Sequence, residues 1–233
     1  MSNTSGAPSH YCSDRKRYRC ADAIVFLARV LYPTPQDMER PEQAVTRTDL
    51  PRVYWIYLVG AILVAAGFAD YPLIAYHFTR AETVPSQWIA IFYAVAMAVS
   101  GTGSLVLRLL FDRYGFGVLV ALTLASALFA SLVFLGGFWL ALLGAAIWGL
   151  GMGVHESIIP AAVSPMVSPQ RRASAFGTFT AGYGIFWFLG SAAIGVLYDL
   201  SVPAVISFCI VTQLAAVPIF VWVGHRHRAT SLR

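Results

Sequence analysis

Charged residues are scarce in this chain. Asp, Glu, Lys and Arg make up 12% of its 233 residues, about half of their share in soluble domains. The stretch 116–154 has no charge at all, which excludes a solvated surface there. Because one membrane-crossing helix needs only about 20 apolar residues, this stretch predicts two helices, and Gly136 and Gly137 supply the turn between them.

Cysteines and cofactor motifs are also few. The three cysteines are Cys12, Cys20 and Cys209, and the spacing of the first two fits no common zinc pattern. The glycine run 149–153 lacks the strand that precedes a dinucleotide-binding motif. Residues 1–20 are polar, without the apolar core of a signal peptide. We therefore expect no metal, no cofactor and no cleavable leader.

Long apolar segments are abundant, since hydrophobic residues make up 58% of the chain. Six of them are long enough to cross a bilayer as helices. The predicted fold class is an all-α membrane protein, a bundle of six transmembrane helices. The predicted spans are residues 53–78, 88–111, 116–135, 139–164, 174–198 and 203–223.

Glycines are dense in the fourth and fifth spans. Small residues let helix backbones approach closely in lipid, so we interpret these glycines as packing positions. They are Gly144, Gly149, Gly151, Gly153, Gly177, Gly182, Gly184, Gly190 and Gly195.

Basic residues are distributed asymmetrically around the spans. Of 16 Lys and Arg residues, 15 fall in segments that share one side of the bilayer, and only Arg80 falls on the other. Short loops rich in Lys and Arg stay in the cytoplasm, so both termini are predicted to be cytoplasmic. The basic character then reflects topology and contact with anionic lipid. A nucleic-acid partner is disfavoured because the charges are scattered over loops.

Three regions follow from these patterns. Residues 1–51 form a polar, partly disordered cytoplasmic segment with a short amphipathic helix at 21–31, which is too short to span. Residues 52–224 form the six-helix domain, and residues 225–233 form a basic cytoplasmic tail.

Ionisable residues inside a bilayer are costly and therefore candidate functional residues. Three lie well inside spans: Asp70, His155 and Glu156. Pro72 cannot donate a backbone hydrogen bond and breaks the helix beside Asp70, and Pro160 does so beside Glu156. Broken helices are tolerated where they line a cavity or are buried in protein.

The two carboxylates occupy corresponding places. Asp70 lies 17 residues after Val53, and Glu156 lies 17 residues after Trp139. If the bundle is an inverted 3+3 repeat, the two groups lie roughly 10–15 Å apart along the membrane normal, as stations on one polar path. The alternative is that each is a structural hydrogen-bonding group, and for His155 the structural role is favoured.

Two basic constellations lie at connections between spans. At the inner ends of the second and third spans, Arg108, Asp112, Arg113 and Gly115 surround a tight loop that suits a gating hinge, in which Asp112 can cap the next helix or pair with an arginine. Between the fourth and fifth spans, Arg171 and Arg172 oppose the helix dipole at a helix start. For the first constellation, an ordinary positive-inside loop is an equally good explanation. For Arg171 and Arg172, a topology signal or contact with lipid phosphate is an adequate explanation, and a partner carboxylate on a neighbouring loop is the functional alternative.

At this point the chain resembles the C-terminal six-helix half of a major facilitator superfamily transporter. The loop 112–115 (Asp-Arg-Tyr-Gly) resembles that superfamily's signature between the second and third helices, although Arg108 and Phe116 depart from it. The segment Gly149–Asp199 is similar to its fourth and fifth helices in bacterial members. The resemblance covers residues 50–225 and implies a bacterial inner-membrane permease in which the first and fourth helices line the cavity.

The leading functional hypothesis is therefore transport of a small solute, coupled to protons, together with a second six-helix half or a second copy of the chain. Residues 1–50 then resemble the linker between two halves. The alternative is a truncated or inactive fragment that serves as a membrane interaction or structural protein. An intramembrane enzyme is disfavoured, because Ser157 and His155 are too close in sequence to face each other from separate helices and His155-Glu156 lacks a second metal-ligating His.

Overall fold

The structure is a computed structural model that describes residues 50–231, with side chains as far as Arg226. Every regular element in this range is a helix. The chain is a multi-pass membrane protein, because six helical segments are long and apolar enough to cross a bilayer. The predicted amphipathic helix at 21–31, Cys12, Cys20 and nearly all of the segment 1–51 lie outside the described residues, as do the side chains that end the basic tail.

The six predicted spans are confirmed, each with ends within a few residues of the expected ones. The turns between them are short, so successive spans run in opposite directions. The spans are Arg52–Arg80, Ser86–Tyr114, Phe116–Leu135, Phe138–Met166, Pro169–Leu200 and Val202–Arg226.

The six spans differ in how regular their helices are. The second is one helix, Ser86–Tyr114, and the sixth begins a helix that runs from Val202 to Ser231. The first consists of helices Arg52–Ala66 and Tyr71–Arg80, and the third of Phe116–Ser126 and Phe129–Leu135. The fourth contains helix Phe138–Gly153, a π-helical turn Val154–Ile158, helix Ile159–Ala161 and a 3-10 turn Ser164–Met166; the fifth contains a 3-10 turn Pro169–Arg171 and helix Arg172–Leu200.

The first and fourth spans have equivalent sets of neighbours. The first packs on the fifth and sixth spans, and the fourth packs on the second and third. The third and sixth spans also pack on each other. Aromatic side chains fill the interior at both ends, with Tyr57, Phe179 and Phe220 in one buried cluster and Phe68 and Phe129 in the other.

Two glycines allow the closest helix crossings. A Cβ atom on Gly149 would lie 2.1 Å from the carbonyl oxygen of Ala96, and one on Gly190 would lie 2.2 Å from that of Ala66. Backbone atoms are therefore in direct contact, as expected for small residues in membrane helices. The packing prediction fails for Gly177, Gly184 and Gly195 of the fifth span, where a Cβ atom would meet nothing within 4 Å.

The second and fifth spans are the least covered. Within the most apolar stretch of each span, half of the residues of the first and fourth are buried, against 17% in the second and 11% in the fifth. Large apolar side chains such as Leu105 and Phe188 point outward, each more than 70% exposed. These two spans therefore present broad apolar faces to lipid or to another protein.

Candidate functional site

The first span is interrupted at residues 67–70. Its first helix ends at Ala66, and the second begins at Tyr71 with Asp70 at the N-cap position. Pro72 sits in the first turn of the second helix, where its missing N–H costs nothing but where it cannot bond to the carbonyl of Phe68. The break expected beside Asp70 is therefore present.

Side chains from other spans bond to the backbone near this break. The indole Nε1 of Trp148 donates to the carbonyl oxygen of Ala69 at 2.8 Å. The buried side chain of Gln213 donates from Nε2 to the carbonyl of Val64 at 3.5 Å. Because an unpaired backbone group in hydrocarbon is costly, these contacts from the fourth and sixth spans stabilise the interrupted conformation.

Asp70 is fixed by two donors from the fifth span. Trp187 Nε1 donates to Asp70 Oδ1 at 2.8 Å, and Ser191 Oγ donates to Oδ2 at 2.5 Å. Both carboxylate oxygens thus have a partner, which holds the partly buried side chain at the break.

The fourth span is distorted without being interrupted. The N–H of Ile159 bonds to the carbonyl of Val154, five residues back, and closes the π-helical turn just before Pro160. The N–H of Val163 bonds to the carbonyl of Pro160 and not to that of Ile159. Tyr57 Oη donates to the Ile159 carbonyl at 2.7 Å, so an aromatic residue of the first span supports the irregular part of the fourth.

Glu156 and His155 point in different directions from this turn. Glu156 is exposed, whereas His155 is 3% exposed. His155 Nδ1 is hydrogen-bonded to Tyr183 Oη, and its ring lies 4.2 Å from that of Phe68 and 5.1 Å from that of Trp187 between centroids. Its Nε2 has no hydrogen-bond partner within the described residues.

The two carboxylates border one cleft of about 780 Å³. Asp70 comes from the break in the first span and Glu156 from the π turn of the fourth, with the second span forming the remaining wall. The structure thus brings Asp70 and Glu156 together around one cleft, and His155 lies behind it. The lining residues are Asp70, Tyr71, Pro72, Ser86, Ile89, Ala90, Tyr93, Met97, Trp148, Met152 and Glu156.

Sequence reasoning did not assign the contribution of the fifth span. Tyr183, Trp187 and Ser191 follow one another at intervals of four residues, which places them on one face of a helix. This face bonds to His155 and, twice, to Asp70. The signal was present in the sequence as polar-tipped side chains at helical spacing in an otherwise apolar span.

The predicted loop between the second and third spans is wrong in extent. Asp112 and Arg113 belong to the last turn of the helix that ends at Tyr114, because nothing before Gly115 interrupts it. Gly115 alone forms the turn, with a φ of 61°, a value that favours glycine. Asp112 does not cap the next helix, whose N-cap is Gly115 without a side-chain hydrogen bond.

The predicted arginines lie away from the cleft. Arg108 and Arg113 are exposed near the end of the second span, and the guanidinium of Arg113 lies 5.5 Å from the centroid of the Tyr114 ring. Arg171 ends the 3-10 turn and Arg172 begins the long helix of the fifth span. Neither pair lines the space bordered by Asp70 and Glu156.

The comparisons with known proteins show relatives without assigned roles. Over 167 residues, 72% of its length, the chain is 31% identical to uncharacterized proteins of Mycobacterium bovis and of two strains of Mycobacterium tuberculosis. The match covers 41% of each relative, so the chain spans less than half the length of the curated relatives it matches. No protein-family model matches the chain, and no solved structure matches it.

Proposed function

We propose that this chain is one six-helix half of a major facilitator-type secondary transporter that moves a small solute, coupled to protons, across the bacterial inner membrane. One observation carries the proposal. Two irregular membrane helices, each with a carboxylate at the irregularity, border the same cleft. Discontinuous helices at a cavity are a recurring form of solute site in secondary transporters.

An inverted 3+3 repeat is supported by the packing. Exchanging the first span with the fourth, the second with the fifth and the third with the sixth maps each main pair of packed spans onto another such pair. The close crossings correspond too, since Gly149 of the fourth span contacts the second and Gly190 of the fifth contacts the first.

A second glycine pattern also supports an inverted repeat. Gly60 and Gly67 of the first span lie against the sixth. Gly144 of the fourth lies against the third, and Gly151 lies between Phe68 of the first span and Ser126 of the third. Both pairs have the same spacing of seven residues. Asp70 is three residues past Gly67 and Glu156 five past Gly151, so the carboxylates occupy similar but not identical places in the two repeats.

A second six-helix unit, or a second copy of this chain, is the proposed partner. The thinly covered second and fifth spans offer apolar faces for it. The mycobacterial relatives, of which the match covers 41%, are long enough for another bundle of this size. Rocking of two such units would expose the cleft alternately to the two sides of the membrane, with both termini of this chain in the cytoplasm.

The proposed division of labour follows from the contacts. Asp70, held by Trp187 and Ser191, keeps a fixed negative charge at the break. Glu156, exposed on the cleft, is the group that exchanges a proton or pairs with the solute. Asp112, Arg113 and the Gly115 turn remain the proposed gating elements at the end of the second span.

The test is uptake by the purified full chain in proteoliposomes under an imposed pH gradient, with a panel of radiolabelled amines, sugars, carboxylates and amino acids. Glu156→Gln should abolish gradient-driven uptake, because it removes the titratable group from the cleft. Glu82→Gln, which changes an exposed acid outside the cleft, should leave uptake unchanged. Uptake that persists undiminished in Glu156→Gln contradicts the role proposed for this residue.

A membrane interaction or structural protein is the second candidate, favoured by the exposed apolar faces of the second and fifth spans. Cross-linking and mass measurement in lipid nanodiscs separate the two. A stable monomer that takes up no solute of the panel contradicts a transporter made of two copies of this chain and supports the second candidate. A dimer with gradient-driven uptake supports the transporter.

A further inference from the structure

We infer that the cleft between the first, second and fourth spans binds organic cations with an apolar, aromatic body. The cleft is the one bordered by Asp70 and Glu156. That such a cation is also the transported solute rests on the function proposed above. Binding itself depends only on the charge, shape and chemistry of the cleft wall.

The charge of the wall has one sign. Two carboxylates line the cleft, and none of the described residues that line it is Lys, Arg or His. An uncompensated negative pair at membrane depth is costly. A cation that enters the cleft removes part of that cost, whereas an anion of the same size increases it.

The two carboxylates are not equally available. Both oxygens of Asp70 already accept hydrogen bonds from Trp187 and Ser191, so this group supplies negative charge from a fixed position. Glu156 is exposed and accepts no hydrogen bond from another side chain of the described region. Glu156 is therefore the direct partner of the cationic centre.

Three aromatic rings form the wall next to Asp70. The Tyr71 ring centroid lies 4.7 Å from that of Tyr93 and 5.4 Å from that of Trp148. Tyr71 Oη donates to the carbonyl of Ile89 at 2.7 Å, and Trp148 Nε1 donates to that of Ala69 at 2.8 Å. The polar atoms of these two rings are occupied, which leaves their carbon surfaces for contact with the ligand.

Such a wall is suited to a cation with an apolar body. Aromatic faces attract cations, most strongly where water is excluded. Met97 and Met152 add flexible apolar surface, which tolerates bodies of different shape. A volume of about 780 Å³ is in the range of sites for drug-sized ligands, so the cleft admits a body of several rings.

The experiment compares two ions of almost the same shape and opposite charge. The purified full chain in lipid nanodiscs is titrated with radiolabelled tetraphenylphosphonium, and tetraphenylborate is the matched anion. We expect saturable binding of the cation and none of the anion. Equal saturable binding of both ions overturns the inference, and this comparison needs no variant.

Variants then locate the site. Glu156→Gln should weaken cation binding about tenfold, a loss of about 1.4 kcal/mol, while Glu82→Gln should leave it unchanged. Tyr93→Ala should weaken binding severalfold and Tyr93→Phe should retain it, because the ring and not the hydroxyl supplies the contact. Elution of each variant as a single species establishes its fold. Unaltered binding in both Glu156→Gln and Tyr93→Ala overturns the placement of the ligand in this cleft.

The failure of this inference is distinguishable from the failure of transport. Cation binding that depends on Glu156, without accumulation of any solute in proteoliposomes, upholds the site and contradicts the transporter. Glu156-dependent uptake of a neutral or anionic solute, with no binding of tetraphenylphosphonium, upholds the transporter and contradicts the cation site.

Discussion

The first and fourth spans accommodate a proline next to a carboxyl group in two different ways. Each carries a carboxylate beside a proline inside the membrane. The first span is interrupted completely at 67–70, and its Asp70 is held by two donors. The fourth stays helical through a π turn, and its Glu156 is exposed.

The difference between the two spans follows from the position of each proline in its helix. Pro72 lies in the first turn of a new helix and Gly67 ends the old one, so the chain can open there. Pro160 follows the π turn, whose wider spacing shifts the hydrogen bonds by one residue without opening the helix. Each irregularity is supported by an aromatic residue of the other span, Trp148 on Ala69 and Tyr57 on Ile159. One carboxyl group held by two donors and one exposed carboxyl group thus face the same cleft.

The largest expected effect tests whether the crossings of these two spans are equivalent. Gly149→Ala and Gly190→Ala should each destabilise the bundle by about 3 kcal/mol, at the upper end of overpacking costs, because the added methyl would meet backbone atoms at 2.1 Å and 2.2 Å. Gly184→Ala, which meets nothing within 4 Å, is the matched control. Thermal unfolding in detergent measures the stability of all three variants. If alanine is tolerated at only one of the two crossings, the crossings are not equivalent.

A smaller effect separates the two carboxylates. Asp70→Asn should lower the free energy of unfolding by about 2 kcal/mol, because it weakens hydrogen bonds to a charged acceptor. Glu156→Gln should change it by less than about 0.5 kcal/mol, as is usual for exposed positions. The measurement is the shift in the unfolding midpoint of each purified variant. Similar losses in both variants would contradict the distinction between a held and an exposed carboxyl group.

The smallest effect concerns the hydrogen bonds that Trp148 and Tyr57 each donate to the irregular backbone of the other span. Trp148→Phe and Tyr57→Phe each remove one donor from an irregular backbone, and we expect a loss of about 1 kcal/mol in each, typical of hydrogen bonds between membrane helices. Backbone hydrogen exchange should rise at 67–70 in the first variant and at 159–163 in the second. If exchange rises equally at both places in either variant, the two supports are not independent.

Much of the fold and part of the candidate site could be predicted from the sequence. Scarce charge and six apolar segments predicted the spans, and the Asp70–Pro72 and Glu156–Pro160 pairs predicted two irregular helices. The loop 112–115 was predicted too long, since Asp112 and Arg113 suggested a loop although no glycine or proline before Gly115 ends the helix. The sequence left open whether Tyr183 and Trp187 pack or make functional contacts, and it did not single out Ser191. Each residue alone is compatible with packing, and only a neighbouring span gives its polar tip a partner.

Hydropathy by itself determined that this is a six-span membrane protein, because backbone groups in lipid must bond within a helix and each apolar segment therefore has one available form. It also marked where ionisable groups enter the membrane. Only the tertiary structure decided that Asp70 is held while Glu156 is free, that His155 turns away from the cleft, and that Tyr71, Tyr93 and Trp148 form an aromatic wall beside the acids. Those outcomes depend on which helix faces meet, as at the backbone contacts of Gly149 and Gly190, and hydropathy does not encode which faces meet.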